Sequence, residues 1–416
     1  MQKINVGFLG CGNIGGGVWA LLEDMKADIA QRYQVCFEVK RMLVRALDEK
    51  RAVVVPEEKL TTCVDDILND PEIELVCEFM GGEQPAADFM LRALISGKSV
   101  VTANKMALSL HWQELHDAAA QTGAKLFYEA SVCGAIPVIR AIRESLTGTR
   151  IESVRGIVNG TTNYILSEMS AKGLAYETAL AQAQQLGLAE PDPTSDVEGY
   201  DAAYKLSILS ALCFGVCVHP NDVSRTGVTG VDIRDIQLGR QLGLRMKLLA
   251  QAERTEKGVF ACVTPTFVAK ENQLFNVNGS FNAVLLHGHS CDDIFLYGRG
   301  AGSLPTASAI VADMIQCACM PSAQNAAPCI LSQDTVVSDA DRKYYIRIEN
   351  APAAEITALA EKMLPGTEVF ALRQEESDYT VLITPVVASD ACDAFITAMA
   401  DRTYTSAVVW PIEGTV

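Results

Sequence analysis

Apolar and polar positions change their rhythm twice along the chain. "INVGFLG" (Ile4–Gly10) is a short apolar run that predicts a strand, and in "VWALLEDMKADIAQR" the residues Val18, Leu21, Leu22, Met25 and Ile29 fall on one helical face. Apolar strands are predicted again at 37–45, 74–80, 99–103 and 125–132. Helical spacing fills the gaps, as in "AADFMLRALISG" and "WQELHDAAAQTG". Such alternation over about 140 residues predicts a doubly wound parallel sheet.

From residue 151 the rhythm loosens. Helical segments surround the strand "GVFACVTPTFV", which predicts a second, α+β domain, and "GRGAGSLPTASAIVADMIQ" (Gly298–Gln316) is a glycine turn entering a helix. A break in composition over 321–343 reads as linker. The tail then runs strand, helix, strand, strand, helix, strand, a βαββαβ order that is ferredoxin-like. The expected organisation is a first domain over 1–150, a second over 151–320, the linker 321–343 and a third domain over 344–416. The helix near 303–320 is a candidate to pack back on the first domain.

A net charge of −17 argues against nucleic acid or an anionic membrane surface as partner, because both attract clustered positive charge. No apolar run approaches the ~18 residues of a membrane helix, and the opening residues read as a strand rather than a signal peptide. Thirteen cysteines without regular spacing suit a reducing, cytoplasmic setting better than a disulfide framework. The His pairs in "HGH" and "HWQELH" lack the partners of a zinc site.

Gly10-Cys11-Gly12-Asn13-Ile14-Gly15 matches GxGxxG between a strand and a helix. That context predicts a Rossmann-type domain whose helix N-terminus meets a pyrophosphate. At the end of the second strand, where an acid would meet the ribose of NAD, stands Arg45, with Lys50 and Arg51 behind it. These are either readers of a 2′-phosphate or solvated loop cations; the expectation is NADP(H) preferred over NAD(H). Gly81 and the "TANK" segment (Thr102–Lys105) lie at the carboxyl edge of the sheet, where ligands bind such folds, and Gly302 in "GRGAG" forms a second wall.

The stretch "EPDPTSDVEGYDAAYK" holds Glu190, Asp192, Asp196, Glu198 and Asp201 and closes on Lys205. Asp196 is positioned to cap a helix starting near Val197, and Asp201 and Lys205 are one helical turn apart. One reading is capping plus a surface ion pair. The other is a pocket for a zwitterion, with acids facing an ammonium and the lysine beside an oxygen that exchanges a proton during hydride transfer. In "NGTTNYIL", Gly160 and Thr161 precede a helix and either offer amides to a carboxylate or merely cap it.

Together, "GFLGCGNIGGGV", "VTANK", "EASVCGAIPVI", "GIVNGTTNYIL", "AEPDPTSDVEGYDAAYKL" and "GRGAGSLPTASAIVADM" resemble the homoserine dehydrogenases in the family's order over roughly the first 320 residues. The resemblance implies reversible reduction of L-aspartate 4-semialdehyde to L-homoserine. It implies Lys205 as proton donor, Asp201 holding the substrate, and Glu190 taking the α-ammonium with Asp196 nearby. Gly160 and Thr161 would lie beside the substrate, with Lys105 reaching substrate and cofactor. It also implies a sodium or potassium site from the Glu129 carboxylate and the carbonyls of Val132, Gly134 and Ile136, a donor set suited to a hard cation. A homodimer or homotetramer and an ACT-like tail follow from the same resemblance.

Two positions depart from the family pattern. Cys133 stands where small residues are common, and "IENAPAAEITALA" lacks the Asp-x-Pro-Gly turn that opens the regulatory helix of an ACT domain. A rival reading, a phosphorylating semialdehyde dehydrogenase, would need Cys133 as nucleophile with a histidine nearby.

Overall fold

The computed structural model describes residues 1–51, 53–321, 336–337, 340–349, 351–374, 377–400 and 407–414. They form two compact units. Among the described residues the first comprises 1–152, 204–221 and 286–321, and the second comprises 153–203, 222–285 and the residues from 336 onward. The units are thus discontinuous in sequence, where boundaries at 150 and 320 were expected. Most of the expected linker 321–343 lies outside the described residues.

In the first unit, β1 (Gln2–Leu9), β2 (Val35–Leu43), β3 (Leu60–Thr61), β4 (Leu75–Glu78), β5 (Ser99–Thr102) and β6 (Leu126–Phe127) form a parallel sheet. Its order is β3-β2-β1-β4-β5-β6, so the strand order reverses at β1, the switch point of a doubly wound fold. The strands read as near-continuous apolar runs because helices cover both faces. Val6, Phe8, Val39, Leu75 and Val101 pack with Val18 and Leu22 of one helix and with Ala307, Ile310 and Met314 of another, Ser303–Cys319.

Two expectations need correction. The strand expected over 125–132 stops at Phe127, because the amide of Glu129 leaves the ladder to donate to Asp313 Oδ2 at 2.8 Å. The single helix expected after the glycine turn is two, Asn13–Asp24 and Lys26–Tyr33, joined at Met25.

The second unit is built on a mixed sheet containing β7 (Ile151–Ile157), β8 (Ser224–Arg225), β9 (Leu244–Thr255), β10 (Gly258–Ala269) and β11 (Phe281–Gly288). The chain continues into β12 (Asp292–Arg299), which belongs to the first unit. Later come β13 (Val336–Val337), β14 (Lys343–Glu349), β15 (Glu368–Gln374), β16 (Ser377–Ile383) and β17 (Ala407–Glu413). From β11 the sheet runs β11-β7-β9-β10-β17-β14-β16-β15, with β8 and β13 also on β10. Within it β17-β14-β16-β15, with helices Ala353–Met363 and Ser389–Ala400, reproduces the ferredoxin-like arrangement: the fourth strand, then the first, third and second. Ile346, Ile348, Ile356, Leu359, Leu382 and Phe395 fill its core. Arg347 of β14 forms a buried ion pair with Asp235 at 2.5 Å and so fastens this module to the helix Ile233–Gln241.

Candidate active site

The glycine turn leads from β1 into helix Asn13–Asp24 under tight steric limits. Gly10 has φ +105°, a conformation that favours glycine, and a Cβ on Gly15 would lie 2.5 Å from the Gly10 carbonyl oxygen. Only hydrogen fits, so the helix can start directly against the loop. A Cβ on Gly12 would meet nothing within 4 Å, which leaves the backbone open on that side. The first turn of the helix has no side-chain cap and no acidic residue, so its amides remain available for an anion.

A cavity of about 750 Å³ opens there, lined by Gly10, Gly12, Asn13, Arg45, Glu49 and Met80 among others. Its size and its glycine backbone fit a dinucleotide. Ile14 is half-buried and packs against the sheet core. Arg45 is 90% exposed at the rim and pairs with Glu49 at 2.9 Å, whereas Arg51 donates to the carbonyls of Ala46, Leu47 and Glu49 and braces the loop. Gly302 (φ +121°) precedes Ser303, whose hydroxyl donates to the Asn13 carbonyl at 2.8 Å.

At the carboxyl ends of β4 and β5, the fully buried Glu78 carboxylate accepts from Thr102 Oγ1 at 2.6 Å and from the Met80 amide at 2.7 Å. Burial raises its pKa while these donors oppose the rise. Asn104 caps the helix Lys105–Leu110 through the Ala107 amide and donates to the Gly82 carbonyl at 2.8 Å. Thr102, the half-buried Lys105 and the open turn Gly81-Gly82 are thus held by one polar network. Glu78 was not singled out in the sequence, and Asn104 only as part of the "TANK" segment. An acid closing an apolar strand, and an Asn before a helix, were the signals.

In the second unit the acidic stretch divides. Glu190 and Asp192 are exposed, Asp196 is half-buried and Asp201 is buried. Asn159 Nδ2 donates to Asp196 Oδ1 at 2.7 Å and to Asp201 Oδ2 at 2.9 Å, which draws these two carboxylates together. The other end of the same side chain, Oδ1, caps helix Gly160–Lys172 by accepting from the Thr162 amide. Asp201 and Lys205 lie one turn apart on helix Tyr200–Phe214.

Asp196 was expected to cap a helix starting near Val197. It lies inside the short turn Thr194–Val197, ahead of helix Tyr200–Phe214, and Asp192 accepts from the Thr194 amide. Thr161 donates to the Leu188 carbonyl at 2.7 Å, and a Cβ on Gly160 would lie 2.8 Å from the Ser280 carbonyl oxygen.

Two family models match the sequence: "Homoserine dehydrogenase, NAD binding domain" over residues 10–129 and "Homoserine dehydrogenase" over 137–315. A homoserine dehydrogenase of Pseudomonas aeruginosa is 36% identical over 399 residues, covering 93% of this chain and 92% of its own. One from Bacillus subtilis is 40% identical over 315 residues, 76% of this chain and 73% of the relative. The crystal structure of a homoserine dehydrogenase from Thiobacillus denitrificans superposes with a TM-score of 0.93 at 36% identity, covering 99% of both chains. The chain belongs to the homoserine dehydrogenase family. It is an NAD(P)-dependent oxidoreductase acting on a CH–OH group, with homoserine and aspartate semialdehyde as its substrates.

The dehydrogenase also contains the turn for which the resemblance implies a cation. Val132, Gly134 and Ile136 follow Glu129 in one loop, and a Cβ on Gly134 (φ +52°) would lie 2.7 Å from the Gly300 carbonyl oxygen. The buried Glu129 carboxylate accepts from the amides of Ile139 at 2.9 Å and Arg140 at 2.7 Å, and the Ile136 carbonyl accepts from Val138 at 2.8 Å. Burial raises the Glu129 pKa, and burial together with Glu129 pushes Asp313 up to about 7. Cys133 is 1% exposed with φ +57°, a position unsuited to an accessible nucleophile. Among the described residues no helix is long and apolar enough to cross a membrane, and no group of three His, Cys, Asp or Glu side chains is placed to hold a metal ion.

Proposed function

We propose that the enzyme reduces the C4 aldehyde of L-aspartate 4-semialdehyde to L-homoserine in threonine and methionine biosynthesis, and prefers NADPH to NADH. The observation that carries the residue assignment is the Asn159 amide, which binds Asp196 and Asp201 together one helical turn from Lys205. Lys205 Nζ gives its proton to the aldehyde oxygen as C4 is reduced and recovers it in the reverse direction. Asp201, fixed by Asn159, orients the substrate and lies within a turn of the lysine. Glu190, with Asp196 behind it, receives the α-ammonium, and the amides at Gly160 and Thr161 receive the carboxylate. Bound nicotinamide nucleotide supplies the hydride.

Gly10, Gly12, Asn13, Ile14 and Gly15 would hold its pyrophosphate, with Gly81, Thr102 and Gly302 around them and Lys105 as a cation at the sheet edge. Arg45 reads the 2′-phosphate; its exposure leaves the guanidinium free to exchange Glu49 for a dianion. Glu129 retains carboxylate lone pairs beyond its two amide bonds and, with the carbonyls of Val132, Gly134 and Ile136, would hold sodium or potassium. The strand order of the tail supports an ACT-like domain, while its altered helix entry argues against amino-acid feedback through it. Family resemblance supports a homodimer or homotetramer, and cysteine usage supports a cytoplasmic setting.

The test is oxidation of NADPH and of NADH with L-aspartate 4-semialdehyde, with and without threonine and with sodium, potassium or a bulky organic cation. Turnover that prefers NADPH and needs a small monovalent cation is expected. Folded protein that turns over neither nucleotide contradicts the proposal.

A further inference from the structure

Lys247 is a lysine in an improbable place. It lies on β9 in the middle of the second unit's sheet, 1% exposed. Burying an ammonium is costly, and burial together with Arg245 pushes its pKa down to about 7. Three oxygens oppose that cost: Asn163 Oδ1 at 3.1 Å, Asn278 Oδ1 at 3.2 Å and the Val277 carbonyl. An ammonium has three N–H donors, and here each has its own acceptor. A neutral amine would turn a lone pair on one of these oxygens, so the arrangement selects the charged form.

The acceptors matter for where they lie. Asn163 is in the first turn of helix Gly160–Lys172, and its own Nδ2 donates to the Phe281 carbonyl at 3.0 Å, which fixes Oδ1 toward the lysine. Val277 and Asn278 belong to the loop before β11. The same loop meets the helix again where the Gly279 amide donates to Ser167 Oγ at 3.0 Å, and its Ser280 carbonyl abuts Gly160. Asn163 stands three residues from Gly160, about 4.5 Å along the helix axis. The charge therefore sits beside the helix's positive end and reinforces it.

We propose that Lys247 is a positioning residue for the substrate. Its ammonium locks the first turn of helix Gly160–Lys172 against the 277–280 loop and strengthens the positive potential that Gly160 and Thr161 offer to the substrate carboxylate. The inference rests on the reading that this turn lies beside the substrate.

The experiment measures homoserine oxidation with NADP⁺ by the full chain and its Lys247→Met, Asn278→Ala and Gly160→Ala variants. Inhibition by 3-amino-1-propanol, which is homoserine without its carboxylate, is measured alongside. Lys247→Met should raise KM for homoserine about tenfold or more, as loss of a charge-assisted hydrogen-bond set implies, with kcat within about threefold and inhibition by the amino alcohol unchanged. An unchanged KM, or a parallel loss of inhibition by 3-amino-1-propanol, overturns the proposal. Should Lys247→Met fail to fold, Asn278→Ala on the exposed loop decides. A KM raised about threefold at unchanged Tm supports the proposal, and an unchanged KM overturns it. If Gly160→Ala, whose Cβ would lie 2.8 Å from the Ser280 carbonyl oxygen and so displaces the turn, raises KM and Lys247→Met does not, only Lys247's role falls; if neither raises it, the reading of the turn falls as well.

Discussion

Around Gly10–Gly15 the working surface is backbone, whereas around Asn159 it is side chains, and the two regions fail in different ways. In the glycine turn, small residues leave room so that a helix can start against a loop with its amides bare. In the acidic cluster, an amide side chain adds atoms that hold two carboxylates near each other against their mutual repulsion. The first design is intolerant of added volume and of a negative side chain beside its bare amides. The second depends on hydrogen-bond donors.

The sharpest way to break the comparison is Gly15→Ala. Its methyl would lie 2.5 Å from the Gly10 oxygen, so the helix start must shift, and cofactor Kd should rise about 100-fold. Titration calorimetry with NADPH checks this, and an unchanged Kd would mean that the loop adapts. Next is Asn159→Ala, which removes a donor shared by two carboxylates and should lower kcat/KM about 30-fold, the worth of one or two charge-assisted hydrogen bonds. It should also cost about 1 kcal/mol of stability as a lost helix cap. Steady-state kinetics alongside thermal melts separate the two effects, and cofactor Kd should not move. The smallest effect is at the rim. Arg45→Ala should weaken NADPH about tenfold and leave NADH nearly unchanged, because the guanidinium is 90% exposed and solvent screens it. Equal losses for both nucleotides would show that Arg45 does not read the phosphate.

The same contrast explains what the chain's letters disclose. A glycine turn announces itself by spacing over a few residues, so the turn at Gly10–Gly15 was legible together with the strand and helix around it. The ferredoxin-like tail was legible too, since alternating runs and short turns specify it locally. The side-chain site was legible only as composition: five acids and a lysine in one stretch. Which acids meet was hidden, because Asn159 reaches Asp196 and Asp201 from 37 and 42 residues away. Glu78 and Lys247 were hidden for the same reason, each a buried charge whose partners come from other elements. The helix near 303–320 was expected to return to the first domain, whereas nothing local in the sequence marks 204–221 as part of the first unit.

The central claim is that Lys205 handles the proton while its neighbours only hold the substrate. Lys205→Met on helix Tyr200–Phe214 keeps the length of the side chain and removes the proton. With L-aspartate 4-semialdehyde and NADPH, kcat should fall about 100-fold or more while NADPH Kd stays within about twofold. A variant that folds, binds NADPH and turns over at a near-normal kcat would contradict the account.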